Sequence, residues 1–258
     1  MSDGWIMVPK ESWRSEIKRY LPRLEAVTQL DSKIEGFIKQ YESFWPDPNM
    51  SSGSWCEPLH QGSLIAFNLM GYAVMNFNIA INIIIAIKEQ WNSGLFVIVP
   101  LNTRFVFETW GAIHFSKTTL FRLCSEENIQ REQERLDRLI FVAKKSEVFL
   151  PFGGVAEKQS FSVMEFIRCL KDEYKDAEKI YDFLSEASHP NMFQNFYFLM
   201  AGPPISNWDN LGFKNHARQL LDKTLTALET ASKGVQLDIL DILQIGTSYI
   251  EKQCNKRT

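Results

Sequence analysis

The sequence predicts an all-α protein, a single-domain bundle of about seven helices. Three observations lead to this fold class. Apolar residues recur at helical spacing in almost every segment, no segment alternates apolar and polar residues as a strand does, and no internal repeat is present. The chain has 258 residues, of which 45% are hydrophobic, and this is enough to bury a core. We divide the chain into an N-terminal helical extension and loop at 1–60 and a helical bundle domain at 61–258.

The extension has helical spacing over residues 10–45, which predicts one helix or two. Apolar side chains recur on one face, first up to Val27 and then from Ile34 onward. Pro22 is expected to break or kink this region, because proline lacks a backbone N–H and clashes with the preceding turn. Residues 46–62 contain three prolines and a Ser/Gly run, so they are predicted to form a loop.

The segment Gln61–Ile87 has no charged residue and is long enough to cross a bilayer. It also carries four asparagines, whose amides are costly to expose to lipid. A polar stripe within about 80° of the helix surface is formed by Asn68, Gly71, Asn78 and Asn82. We therefore expect a helix buried inside a soluble bundle, where the stripe meets other polar groups, and we do not expect a membrane span.

Helical spacing continues over residues 95–123. Ser125 is expected to cap the helix that follows, whose first turn is acidic and would face the positive end of the helix dipole. Near the end of the sequence, two closing helices are predicted at 213–232 and 235–254. Gly234 separates them, because glycine commonly marks a helix end.

A further helix is predicted to begin at Ser162. Ser162 and Glu165 have the spacing of a capping box, in which each side chain binds the other residue's backbone N–H. This helix is expected to run to Ser188. His189 precedes Pro190, and a residue before proline is disfavoured in the α conformation, so the helix should stop there.

Composition narrows the classes of function. The charged fraction is 23% and the net charge is −3, so nucleic-acid binding through a large basic surface is not indicated. The four cysteines are far apart, which argues against a disulfide framework. The first residues lack the pattern of a signal peptide. We expect a cytoplasmic protein that is not in a membrane; a homo-oligomer is left open.

Two helices carry polar groups on one face in apolar surroundings. Tyr181, Ser185 and His189 are spaced four residues apart, which places them within about 80° on the helix surface. Arg104 and Glu108 share a face of the helix at 95–123. A buried charge must be paired and hydrogen-bonded. We therefore predict that the two faces meet in a polar pocket, with at least one hydrogen bond between them.

Other polar residues are weighed against this pocket. Gly111 lies one turn beyond Glu108 and would let another helix approach. His114 points about 120° away from Glu108 and is expected to pack instead of taking part in chemistry. Glu186 and His189 have the Glu-x-x-His spacing of di-iron bundles, but the further glutamates that such a site needs are missing. No metal site and no cofactor is therefore predicted.

The same residues also fit a purely structural role. Arg104 and Glu108 would then be an ion pair that fixes two helices, and Tyr181, Ser185 and His189 would satisfy that pair or cap the helix end. The residues alone leave both interpretations open.

The two polar segments together resemble a family of uncharacterised, mostly bacterial, all-helical proteins. The phrase "LNTRFVFETWGAIHF" is followed about seventy residues later by "YDFLSEASHPN". This pattern resembles the family's Arg-x3-Glu helix and its Tyr-x2-Leu-Ser-x3-His-Pro helix end. The matching positions are Arg104, Glu108, Tyr181, Leu184, Ser185, His189 and Pro190. The resemblance covers about residues 65–200 and implies the helical fold, with a hint of a role in phage defence or toxin systems.

Two functions are compatible with these residues. The first is a regulatory module that binds a small ligand or a protein partner in the pocket, with Tyr181 and Ser185 as ligand-binding residues. The second is an effector enzyme, such as a metal-independent nuclease. His189 would be its general acid–base and Arg104, beside Glu108, would hold a phosphate, since histidine transfers protons near neutral pH and arginine binds phosphate with two N–H groups.

Overall fold

The computed structural model describes residues 11–43, 61–93, 98–125, 128–140, 161–188 and 211–255, and within these ranges it contains only helices and the turns between them. The helices are α1 (Glu11–Val27), α2 (Ser32–Glu42), α3 (Gln61–Asn92), α4 (Ile98–Cys124), α5 (Ile129–Ile140), α6 (Val163–Leu170), α7 (Ala177–Ala187) and α8 (Leu211–Asn255). The predicted all-α, single-domain bundle is therefore confirmed.

Helices α3, α4 and α8 form the centre of the bundle and pack against one another. Trp91 of α3 and Phe107 of α4 are among the largest fully buried side chains. Tyr20 of α1 and Ile34 of α2 belong to the same hydrophobic cluster, so the first two helices share this core. The predicted domain boundary at residue 60 stays a prediction, because residues 44–60 lie outside the described ranges.

Hydrogen bonds and ion pairs hold α1 along α8. Arg23 donates from Nε to Glu229 Oε1 at 2.6 Å and from Nη1 to Asp222 Oδ1 at 3.1 Å. The Ser232 hydroxyl donates to the Val27 carbonyl at 3.1 Å, where α1 ends. These bonds join residues about two hundred positions apart in sequence, and they orient α1 on the last described helix.

Two predicted helix breaks do not occur. Pro22 lies inside α1, and the chain leaves the helix only after Val27, so the break predicted there is wrong and the alternative of a kink stays a prediction. Gly234 lies inside α8, which is one helix of 45 residues. A Cβ at position 234 would overlap the indole ring of Trp110, so this glycine permits close packing of α8 on α4. The gain from packing overrides its poor helix propensity of about 1 kcal/mol.

The segment predicted as one helix from Ser162 to Ser188 is two helices. Its start is confirmed: the Ser162 hydroxyl accepts from the Glu165 backbone N–H, and the Glu165 carboxylate accepts from that of Ser162. However, α6 ends at Leu170, and the charged run 171–176 forms turns before α7 begins. These turns place the Tyr174 ring 5.9 Å from the Trp110 ring, measured between centroids. Packing against α4 therefore overrides the continuous helical pattern.

The predicted cap at Ser125 is also wrong. Ser125 follows the end of α4, and its hydroxyl donates to the Phe121 carbonyl at 3.0 Å. Helix α5 begins at Ile129, where the Asn128 side chain accepts from the Arg131 backbone N–H at 3.4 Å. Asparagine is as good a capping residue as serine, and here it is the one next to the helix.

Helix α3 is long and apolar enough to cross a membrane by length and composition, and 33% of its most apolar window is buried within the protein. Its buried face holds Leu69, Ala73 and Ile84. Asn78 and Asn82 are exposed, as are the apolar side chains of Met75 and Ile85. The expectation that the asparagine stripe would meet polar groups inside the bundle is therefore wrong at Asn78 and Asn82, because α4 and α8 pack on a different side of the helix.

Candidate functional site

Helices α4 and α7 meet at three polar side chains, Arg104, Glu108 and Tyr181, which we call the Arg104 triad. Arg104 Nε donates to Glu108 Oε1 at 2.9 Å, and Nη2 donates to the Tyr181 hydroxyl at 3.0 Å. The Tyr181 hydroxyl in turn donates to Glu108 Oε1 at 2.8 Å. Each of the three groups therefore binds the other two, and the triad is a closed network.

The triad lies at the edge of the core. Tyr181 is buried, whereas the Arg104 side chain is 35% exposed and that of Glu108 is 19% exposed. Burial works against the charged form of Arg104, but Tyr181 and Glu108 outweigh it, so the pKa of the guanidinium is raised. Burial, together with the nearby Glu108 carboxylate, raises the pKa of the Tyr181 phenol. The phenol thus stays protonated, and Arg104 keeps its charge with part of the guanidinium facing water.

The prediction that Arg104 and Glu108 face the helix carrying Tyr181 is confirmed by these bonds. Gly111 acts as predicted, because a Cβ there would lie 3.0 Å from Phe166 Cβ on α6. Ser185 is half-buried on α7 and makes no hydrogen bond with the triad. His189 and Pro190 lie outside the described residues, so the predicted convergence of His189 with Arg104 stays a prediction.

A second polar cluster lies on another side of α4, and we call it the Asp238 cluster. Its members are Trp110, His114, Lys117, Glu173, Asp238 and Asp241. Asp238 Oδ2 accepts from Trp110 Nε1 at 2.9 Å and lies 3.0 Å from His114 Nδ1. Lys117 Nζ donates to Asp238 Oδ1 and, at 2.6 Å, to Glu173 Oε1. One carboxylate on α8 thus gathers three side chains of α4.

The centre of this cluster is far more buried than the triad. The side chains of His114, Lys117 and Asp238 are 4%, 7% and 2% exposed. Burial alone would raise the pKa of the Asp238 carboxyl, but His114 and Lys117 hold it below its usual value. Burial would lower the pKa of Lys117, but Asp238 and Glu173 raise it. Both partners of this buried pair are therefore charged at neutral pH.

Sequence reasoning missed this cluster. His114 was expected to pack, and it is buried, but its ring also bonds a carboxylate. Trp110, His114 and Lys117 are spaced i, i+4 and i+7, so the signal was a second polar face on this helix, apart from that of Arg104 and Glu108. Glu186, from the rejected di-iron spacing, is exposed and belongs to neither cluster.

No protein-family model, curated protein or solved structure matches the chain. The resemblance to the bacterial helical family therefore stays a prediction.

Proposed function

We propose that the protein is a regulatory module that binds a small anionic ligand, or an anionic group of a partner, at the Arg104 triad. One observation supports this most: Glu108 and Tyr181 fix the guanidinium from one side, while 35% of the Arg104 side chain faces water. Among the described residues, none accepts a hydrogen bond from Nη1. A fixed guanidinium with a donor to spare is suited to a phosphate or carboxylate, which bind arginine through two N–H groups.

The charge of the triad limits what it would bind. Glu108 offsets the charge of Arg104, so attraction over a distance is weak and recognition depends on the direction of the N–H groups. The net charge of −3 likewise gives no broad basic field for a polyanion. A small anion in contact with the guanidinium fits this balance better than a long nucleic acid. The family resemblance gives a hint of a role in phage defence, and we propose that such a role would depend on a ligand that signals infection.

The second candidate is the effector enzyme, a metal-independent nuclease. It is favoured by one contact: α7, which leads toward His189 in sequence, touches Arg104 through Tyr181. In this mechanism Arg104 would hold the phosphate and His189 would move the proton of the attacking hydroxyl. Glu108 would keep the guanidinium in place.

Ligand binding can be tested with inorganic phosphate and adenine nucleotides as probes. A ligand at ten times its Kd adds about 1.4 kcal/mol of stability. For a protein of this size that is a rise in Tm of about 3–6 °C. Arg104→Gln should abolish the rise. Arg138→Gln is the matched control, because Arg138 is 34% exposed and also pairs with a glutamate on another helix. If none of these probes raises the Tm, or if Arg104→Gln keeps the rise, the proposed anion site is wrong.

The nuclease is tested by incubating single-stranded RNA with the protein in EDTA. Cleavage that is lost in His189→Ala and in Arg104→Gln, with the Tm retained in both, would favour the enzyme over the binding module. Phage plating on a host that expresses each variant then tests the defence role. A host that is equally sensitive with and without the protein would contradict it.

A further inference from the structure

We infer that the Asp238 cluster binds a divalent first-row transition metal ion through His114, Glu173 and Asp238. One ligand atom from each of these residues lies within 4.8 Å of the other two. His114 Nδ1 is 3.0 Å from Asp238 Oδ2 and 3.8 Å from Glu173 Oε2. An ion with bonds of about 2.0–2.1 Å separates its ligand atoms by roughly 2.9–3.4 Å. Small side-chain rotations, with the His114 proton on Nε2 so that Nδ1 offers its lone pair, would therefore bring the three atoms into coordination.

The hydrogen-bond donors next to the two carboxylates leave one oxygen of each carboxylate able to bind an ion. Lys117 binds Asp238 Oδ1 and Glu173 Oε1, which are the oxygens turned away from His114. Trp110 donates to Asp238 Oδ2, and a carboxylate oxygen has a second lone pair for an ion. Lys117 thus orients both carboxylates and Trp110 orients that of Asp238, as the outer partners of metal ligands commonly do.

The charge of the cluster favours a divalent cation. The Lys117 ammonium lies within 3.5 Å of three carboxylates, those of Asp238, Glu173 and Asp241. With neutral His114 the group has an excess of two negative charges, which one divalent ion would balance. The carboxylates would also stand between that ion and the ammonium, which reduces their repulsion.

The cluster has a buried end and an open end. His114 and Asp238 are almost fully buried, whereas Glu173 and Asp241 are 51% and 52% exposed. An ion could enter from the side of the turn that joins α6 to α7, where Glu173 lies. One imidazole nitrogen and two carboxylate oxygens leave a position for water. This donor set suits Zn²⁺, Mn²⁺ or Fe²⁺ better than a soft ion that prefers thiolates.

The competing interpretation is that Lys117 is itself the only cation of the cluster. Titration of the full-length, chelator-treated protein with Co²⁺ separates the two, because Co²⁺ replaces Zn²⁺ and its visible absorption reports the ligands. We expect saturable absorption at one equivalent per chain. Absence of such a signal would overturn the metal site and leave Lys117 as the counter-ion.

Two variants of matched exposure locate the ion. Glu173→Gln removes a ligand and should weaken Co²⁺ binding at least about tenfold. Asp241→Asn removes a half-exposed charge beside Lys117 without removing a ligand, and exposed ion pairs contribute little, so its Kd should stay within about threefold of the parent. Both side chains are half-exposed, and a melt without metal checks that the variants fold. Binding that Glu173→Gln leaves unchanged would place the ion elsewhere and contradict the proposal. The Arg104 triad is not involved, so either proposal can fail alone.

Discussion

Replacing Asp238 by alanine should be among the most destabilising single changes in the protein. The carboxylate is 2% exposed and holds Lys117, His114 and Trp110 at once. Its loss leaves a buried ammonium with one fewer partner and two ring N–H groups without their acceptor. Breaking a buried ion pair typically costs about 3–5 kcal/mol. Glu173 still binds Lys117 in this variant, so we expect the free energy of unfolding to fall by about 4 kcal/mol and not by more than that range.

The measurement is urea unfolding followed by tryptophan fluorescence, with the denaturant slope compared between variants. A loss below about 1 kcal/mol with an unchanged slope would refute the reasoning, because it would mean that water already solvates the cluster.

A second substitution tests the mechanism of that loss. Lys117→Met removes the charge that Asp238→Ala leaves stranded, and it keeps most of the side chain's apolar length. Replacing both partners of a buried pair by apolar groups is often close to neutral. Asp238→Ala with Lys117→Met should therefore be more stable than Asp238→Ala alone. A double variant that loses further stability would show that packing, and not the unpaired ammonium, dominates the cost.

Three further predictions use the same methods. Glu108→Ala should cost only about 1–2 kcal/mol, because Arg104 is 35% exposed and water can solvate it; a loss above about 3 kcal/mol in urea would contradict this. Gly234→Ala should destabilise by about 1–3 kcal/mol through overlap with the indole ring that it faces. At Gly36 a Cβ would meet nothing within 4 Å, so Gly36→Ala should stabilise the protein by up to about 1 kcal/mol. If both substitutions stabilise or both destabilise the protein, the packing argument is refuted. Finally, the pKa of Asp238 is lower in the folded protein than its ordinary value of 3.8, so the unfolded chain binds a proton at this carboxylate more tightly. The stability that the ionised Asp238 contributes is therefore complete above pH 3.8 and is lost as the pH falls below that value. In Asp238→Asn the free energy of unfolding should change less with pH below 3.8. An unchanged pH dependence in this variant would show that Asp238 is not the group responsible.

The sequence was most informative where a local rule decides the structure. The capping box at Ser162 involves residues three apart, so it depends on almost nothing else in the fold. The meeting of Arg104 and Glu108 with Tyr181 was predictable for a different reason. A charged pair in an apolar helix needs partners, and the face of α7 with spaced hydroxyl groups was a suitable one.

The failures lie where distant packing overrides a local signal. Gly234 has the sequence pattern of a helix end, but the helix continues through it, and the indole ring on α4 explains why a glycine stands there. The bond between Lys117 and Asp238 joins residues 121 positions apart, so nothing near either residue indicates it. Sequence spacing showed a polar face at Trp110, His114 and Lys117. It could not show which helix would cover that face.

The position of α8 has a consequence for how the protein is made. Helices α1 to α4 all pack on it, and Arg23 of α1 binds Glu229 across 206 residues. A ribosome adds about 5–20 residues per second, so the 45 residues of α8 take roughly 2–9 s to appear. Until then the apolar faces of α3 and α4 that α8 covers have emerged without their partner. The nascent chain must pass through this interval with those faces exposed, and chaperone binding during synthesis should concentrate on them.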